Sequence, residues 1–328
     1  MTPAPAAPLL QVNDLSIRYG KGVPLVEQLN FTVRRGETVG LVGESGCGKS
    51  LTALAVMGLL AENLRTSSGS IELEGTNLTA LGQNALRGYR GNRMAMIFQE
   101  PLTALNPVMT VGAQVVEVLR AHRRMGRAEA ERRAIELLEQ VRIPDAAERF
   151  HDYPHRLSGG MRQRVVIAIA IACNPALLIA DEPTTALDVT VQAQILQLLK
   201  SLQRDADLGL LLITHDLGVV RQVADRIVVM YAGSVVEEGA VDAVLDNPQH
   251  PYTAGLLAAR PHGSFSAQGH RLADIRGAVP PPESRPGGCL FEPRCAHAQA
   301  DCKSARPPRS AAGPDRSVRC YHPVGKPN

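Results

Sequence analysis

Aromatic residues are scarce in these 328 positions: Phe, Tyr and Trp together make up 3%, and Trp does not occur. Any core must therefore be aliphatic, and apolar residues at 45% are enough to build one. Long hydrophobic runs are missing too. The longest, Val165 to Cys173, has nine residues, against the roughly 20 that span a bilayer. Met1 to Pro8 has neither a basic start nor an apolar stretch, so it does not read as a secretory signal. It is expected to be a disordered lead-in over residues 1–8. A strong charge of either sign is also missing. The net value is +3, which implies no general pull toward nucleic acid. These absences lead to the expectation of a soluble, cytoplasmic chain. Cysteine is sparse until the end: of six, four (Cys289, Cys295, Cys302, Cys320) fall in the last forty residues. In a reducing compartment such a cluster suggests a metal before disulfides.

What is present is organised around Gly43-Glu44-Ser45-Gly46-Cys47-Gly48-Lys49-Ser50. An apolar run, Thr38 to Val42, precedes it as a buried strand, and Leu51 to Met57 follows as a buried helix. Strand, G-x-x-x-x-G-K-S, helix is the context of a phosphate loop. Glycines let the backbone curl so that several N–H groups face one anion. The helix N-terminus adds its positive end. Lys49 is placed to reach outer phosphates, and Ser50 to offer a hydroxyl to Mg²⁺.

Leu10 to Arg18 and Leu29 to Val33 alternate as strands. Tyr19 follows the first and either stacks on a base through its ring or caps the strand end. Gly69 to Leu73 and Met94 to Phe98 also read as strands, the second ending at Gln99, whose amide could face a metal or water. Val111 to about Val141 turns helical, with a basic run from Arg120 to Arg133 that reads as a solvated face or, less simply, a nucleic-acid patch. Ser158 is a natural N-cap for a helix through Val165 to Cys173. With Leu157, Gly159 and Gly160 it makes a second Gly-rich helix start, hence a second anion site. Leu177 to Ala180 is a buried strand delivering Asp181 and Glu182, one to hold Mg²⁺ and one to deprotonate water. Asp188 opens a helix from Val191 to Leu202. Leu210 to Ile213 is a further strand ending near His215, which could hydrogen-bond a terminal phosphate or be structural. Ile227 to Met230 and Ser234 to Glu237 suggest a closing hairpin, and Pro251 to Ala259 a short helix. The plan is α/β, with ligands at strand C-termini.

In order, the phosphate loop, Gln99, Leu157-Ser158-Gly159-Gly160-Met161, Asp181-Glu182, Ala186-Leu187-Asp188 and Thr214-His215-Asp216 resemble the ATP-binding cassette of ABC transporters. The resemblance implies a P-loop NTPase core: a mainly parallel sheet with flanking helices, an antiparallel β subdomain and a helical signature subdomain. The expected layout is a cassette over 9–248, its helical part at about 100–160. An irregular extension over 249–328 follows, Cys-rich from 285 to 323. Phe98 to Pro107, Ala186 to Gln192, His250 to Thr253 and Gly288 to Cys295 look like the dipeptide/oligopeptide branch of ABC importers. In such importers two cassettes sandwich two ATP molecules head to tail, so each Ser158-type loop completes the partner's site. The resemblance then implies Tyr19 for adenine and Gly43 to Ser50, with Leu51, for phosphates and Mg²⁺. It implies Gln99 for Mg²⁺ and water, Asp181 for Mg²⁺, Glu182 as base, His215 as γ-phosphate switch and Asp188 at the dimer seam. Cys47 occupies a variable position and is expected to be structurally neutral. Implied partners are a second, distinct homologous cassette, two membrane permeases and, indirectly, a periplasmic or extracellular solute-binding protein, with no nucleic acid. The chain would sit at the cytoplasmic face of the cell membrane and energise di- or oligopeptide uptake. Nickel complexes, glycosides, or a redox-regulated soluble ATPase are the alternatives.

The four late cysteines are spaced C-x₅-C-x₆-C-x₁₇-C, without the tight C-x₂-C knuckles common in zinc sites. Prolines leave that tail little regular structure, so metal ligation would supply its folding energy. From Arg285 to Asn328, eight Lys/Arg face three Asp/Glu, a balance that would offset four thiolates. The expectation is a structural [4Fe–4S] cluster on all four, with zinc as the alternative and His297 and His322 as bystanders.

Overall fold

The computed structural model describes residues 7–185, 187–259, 275–313 and 315–325, apart from the side chain of Leu102. Ala186 of the Ala-Leu-Asp motif and most of the lead-in lie outside these residues. The described strands are β1 (Leu10–Tyr19), β2 (Pro24–Val33), β3 (Thr38–Val42), β4 (Leu64–Leu73), β5 (Thr76–Asn77) and β6 (Met94–Ile97). They continue with β7 (Leu177–Asp181), β8 (Gly209–Thr214), β9 (Arg226–Tyr231), β10 (Ser234–Ala240), β11 (Ser310–Ala311) and β12 (Ser317–Val318).

β3, β7 and β8 are buried at every position. Their sequences are unbroken short apolar runs because both faces of the sheet are covered. They pair in parallel, β6 with β7, β7 with β8, β8 with β3 and β3 with β9. β10 then joins β9 antiparallel as the expected hairpin. One aliphatic core, including Ile167, Leu178, Leu199 and Leu212, covers one face of this sheet. The other core, including Leu41, Val56, Ile179 and Ile213, fills the space between it and a second sheet. That second sheet is antiparallel, ordered β2-β1-β4-β5, and β1 shows the part-alternating burial expected of a half-covered strand.

Between β6 and β7 lie helices including Val111–His122, Arg127–Gln140 and Gly159–Ile171. The basic run falls on a solvated face, where Arg127 pairs with Glu131 and Arg133 with Glu136. The architecture is α/β: a mainly parallel sheet with flanking helices, a second antiparallel sheet, and a helical segment between β6 and β7, as expected.

The tail is more closely joined to the cassette than its proline content suggests. β12 pairs with β10, Glu237 opposite Val318, and β11 pairs with β12, so the tail extends the cassette's own sheet. Leu290 and Phe291 enter a cluster with Tyr231, Val244 and Tyr252. The scarce aromatics gather here: Phe291 lies 5.1 Å from Tyr231 and 5.4 Å from Tyr252, ring centre to ring centre. A segment unable to build a core of its own uses the edge of its neighbour's.

Candidate functional site

β3, β6, β7 and β8 run in parallel, so their C-terminal ends share one edge of the sheet. A cleft of about 870 Å³ opens there, lined by Gly43 to Gly46, Gly48 to Leu51, Gln99, Glu182 and His215. Gly43, Gly46 and Gly48 all have positive φ, and Gly48 caps the helix Lys49–Val56 with φ 101°. A side chain at Gly43 would meet the Met230 carbonyl oxygen at 2.2 Å, so the tight curl requires glycine.

Lys49 is buried, and its ammonium donates to the carbonyls of Gly43 (2.7 Å) and Glu44 (3.1 Å). These acceptors are neutral, so the positive charge is left for an anion in the loop. Ser50 Oγ donates to Asp181 Oδ1 at 3.1 Å. Burial pushes the Asp181 carboxyl up from the usual range, opposed by the Ser50 hydrogen bond. A hydroxyl and a buried carboxylate, with Gln99 lining the same cleft, form an all-oxygen donor set of the kind hard divalent cations take. These residues fit Mg²⁺.

Glu182 stands one residue past β7 in the left-handed region, φ 47°. Such backbone persists in a non-glycine residue only where its surroundings hold it, and it is common at functional positions. Its Oε2 accepts from Gln99 Nε2 (3.1 Å) and Thr185 Oγ1 (3.0 Å). Its Oε1 lies 3.2 Å from His215 Nδ1. The cleft thus brings together a phosphate cradle, a cation site and a carboxylate aimed by three side chains.

Other expected residues lie elsewhere. Tyr19 is exposed (59%) at the end of β1 and does not line the cleft. That wall is made instead by Leu25, Leu256, Val279 to Pro282 and Arg285. Ser158 caps the helix Gly159–Ile171, accepting from Met161 N at 3.4 Å. Asp188 caps the helix Val189–Asp205 in the same way. Gly160 lies so near that second helix that an added Cβ would meet Val191 Cγ1 at 2.7 Å. Ser158, Gly159, Gly160 and Asp188 therefore share one surface, outside the cleft lining. Cys47 takes up a core position. Its side chain is fully buried in the core beneath the loop, where burial raises its thiol pKa, and it does not face the cleft.

Two contacts escaped the sequence reading. Glu44, expected among the phosphate-binding residues, turns its side chain to the tail and receives a bidentate pair from Arg294 at 2.7 and 3.0 Å. Its backbone N–H donates to Tyr252 Oη at 2.9 Å. Neither partner is near in sequence, and no local pattern signals them. Cys289, Cys295, Cys302 and Cys320 all line one small cavity, and none of them is in a disulfide. Burial raises the thiol of Cys320 to about 11, with the other three adding. Four unpaired thiols around one cavity fit a thiolate-bound group. Among the described residues, however, the tightest set of potential ligands is Asp301, Cys302 and His322, within 4.8 Å of one another. His322, expected as a bystander, hydrogen-bonds Asp301 (2.8 Å) inside that set.

No helix among the described residues is long and apolar enough to cross a membrane. Comparison with known proteins agrees with the geometry. Residues 26–185 match the ABC transporter family, and residues 236–302 match the oligopeptide/dipeptide transporter C-terminal region. An oligopeptide transport ATP-binding protein of Bacillus subtilis (strain 168) is 50% identical, covering 95% of this chain and 96% of its own. A dipeptide transport ATP-binding protein of Escherichia coli (strain K12) is 47% identical over 96% and 97%. A solved cassette dimer bound to ADP and phosphate superposes with TM-score 0.64 at 29% identity, covering 71% of this chain and 98% of that one. With this cleft, fold and tail, the chain belongs to the ATPase subunits of ABC transporters, in the oligopeptide/dipeptide branch.

Proposed function

We propose that this ATPase powers uptake of di- or oligopeptides through two separate permease subunits, paired with a second, distinct homologous cassette at the cytoplasmic face of the membrane. A solute-binding protein would deliver the peptide. The relatives named for peptide transport and the matching C-terminal region support the substrate class. The single observation that carries the mechanism is the split of the anion-binding features. Lys49, Ser50, Glu182 and His215 face one cleft, while the Ser158 loop and Asp188 present a surface outside it.

In this reading the loop N–H groups of Gly43 to Ser50, with Lys49, bind the phosphates of ATP, and Leu51 opens the supporting helix. Ser50, Asp181 and Gln99 would hold Mg²⁺, which neutralises phosphate charge when bound. Glu182, held by Gln99, Thr185 and His215, takes a proton from the attacking water. His215 touches the terminal phosphate and the base together, so it can register hydrolysis. Tyr19 would stack on adenine once the nucleotide is seated. A partner cassette would lay its own Ser158-type loop on this chain's nucleotide, with Asp188 at the seam. The test is purification from native membranes followed by uptake assays in vesicles. Two permeases, a different cassette and ATP-driven dipeptide uptake are expected. ATP-driven uptake of a glycoside or nickel complex without peptide would overturn the substrate class.

For the tail, we infer a [4Fe–4S] cluster on Cys289, Cys295, Cys302 and Cys320, supported by their convergence on one cavity. When bound it would tie four distant segments of a coreless tail together. Anaerobic purification with iron, sulfide and zinc analysis tests this. Stoichiometric zinc without iron would favour the Asp301, Cys302 and His322 set instead.

A further inference from the structure

Arg294 lies in the tail, one residue before Cys295, yet its side chain ends at the phosphate loop. Its side chain is almost wholly buried, 4% exposed, and its guanidinium reaches acceptors in three directions. Nη1 and Nη2 donate to the two oxygens of Glu44. Nε and Nη2 donate to the carbonyls of Arg276 (3.0 Å) and Ile275 (3.2 Å). The guanidinium carbon stands 5.7 Å from the ring centre of Tyr231, within cation–π range.

Glu44 is held equally firmly. Its carboxylate is taken by Arg294 and its N–H by Tyr252, while its carbonyl receives Lys49 Nζ and Cys47 N. The residue that turns the chain into the phosphate loop is thus fixed on its outer side by the tail and on its inner side by the phosphate-binding lysine. A planar fork meeting a carboxylate fixes orientation as well as distance. Tyr231, Tyr252 and Phe291 pack against one another behind the pair.

We propose that Arg294 is a positioning residue for nucleotide binding: through Glu44 it holds the phosphate loop in its anion-ready curl, so the tail sets ATP affinity from outside the cleft. The inference rests on the cleft being the ATP site. It follows that movement of the segment from Cys289 to Cys295 is transmitted to the loop, and that nucleotide binding acts back on that segment.

The test uses the full chain and Mg·AMP-PNP as the probe. Glu44→Gln removes the charge but keeps an oxygen acceptor and leaves Arg294 its carbonyl partners, so the tail stays docked. Arg294→Gln and Glu44→Gln are each expected to weaken binding about tenfold, and the double variant no more than either single one, since the coupled term is lost once. The exchanged pair Glu44→Arg with Arg294→Glu should recover part of the loss. Saturating Mg·AMP-PNP should slow amide exchange over residues 289–295 in the unaltered chain and not in Glu44→Gln. A merely structural arginine would lower unfolding temperature without that linkage. Unchanged affinity in both single variants, or strictly additive losses, would overturn the proposal alone. An unaltered chain that binds no nucleotide would overturn the ATP-site reading and this proposal together.

Discussion

Glu182 Oε1 and His215 Nδ1 lie 3.2 Å apart, joining the ends of β7 and β8 across the cleft. One carboxylate oxygen is therefore engaged by the histidine while the other is shared by Gln99 and Thr185. In the proposed mechanism, a carboxylate held by three side chains from three segments would be aimed before the water arrives and would need little rearrangement to take its proton.

Glu182→Gln should accordingly lower steady-state ATP turnover by about 10²- to 10⁴-fold, the usual contribution of a positioned base. Nucleotide affinity should survive, because Lys49, Ser50 and Asp181 keep their places. Phosphate release and Mg·AMP-PNP titration, measured on the same preparation, separate the two. Near-normal turnover would remove Glu182 from the mechanism.

The grouping of residues at the cleft was legible because parallel strands are short apolar runs that end at one edge of the sheet. Val42, Asp181 and Thr214 end such runs, and the functional residues follow them directly. The Arg294–Glu44 pair was not legible: 250 residues separate its members, and each looks like an ordinary surface charge on its own. The burial of Cys47 was not legible for a related reason. Within a loop, sequence pattern marks backbone geometry, whereas burial of one side chain depends on what packs beneath it. The tail's docking strands, two residues each, are too short for alternation to register.

The Ser158 surface bears on assembly. Ser158→Arg should leave Mg·AMP-PNP affinity of the isolated chain unchanged, since Ser158 does not line its own cleft. Turnover of the assembled transporter should fall at least about tenfold, a barrier increase of roughly 1.4 kcal/mol. Loss of nucleotide binding by the isolated variant would place the loop in its own chain's site.

His250 gives a pH dependence with a defined sign. It is fully buried, and burial holds its pKa at about 3 against an ordinary value of 6.5. Because the folded value is depressed, the unfolded chain takes up the proton first. The stabilisation is complete above pH 6.5 and is lost progressively as pH falls from there toward 3. For one group the slope is at most about 1.4 kcal/mol per pH unit. His250 Nδ1 accepts from Tyr252 N, a role an amide oxygen can fill. His250→Asn should therefore show a shallower fall of the urea midpoint between pH 7.5 and 5.5. An identical slope in both proteins would show that His250 does not govern the acid limb.

The last expectation concerns how the tail is fastened. Arg316 donates to Glu237 at 2.7 Å, with side chains 2% and 0% exposed. The same carboxylate accepts from the backbone N–H groups of Gln249 and His250, so it organises the turn into the helix Pro251–Ala258. Removing the arginine alone leaves a buried carboxylate with only two amides, and a buried charge losing its partner costs about 3–5 kcal/mol. Arg316→Met should thus be strongly destabilising in urea unfolding. Arg316→Met with Glu237→Gln should recover part of that loss, because no lone charge remains buried, while the amide keeps an oxygen for one of the two N–H groups. If the pair acts independently of the nucleotide site, Mg·AMP-PNP affinity of the double variant should match the unaltered chain wherever both remain folded. A double variant as unstable as the single one would show that the fastening comes from the β10–β12 pairing and not from the buried charges.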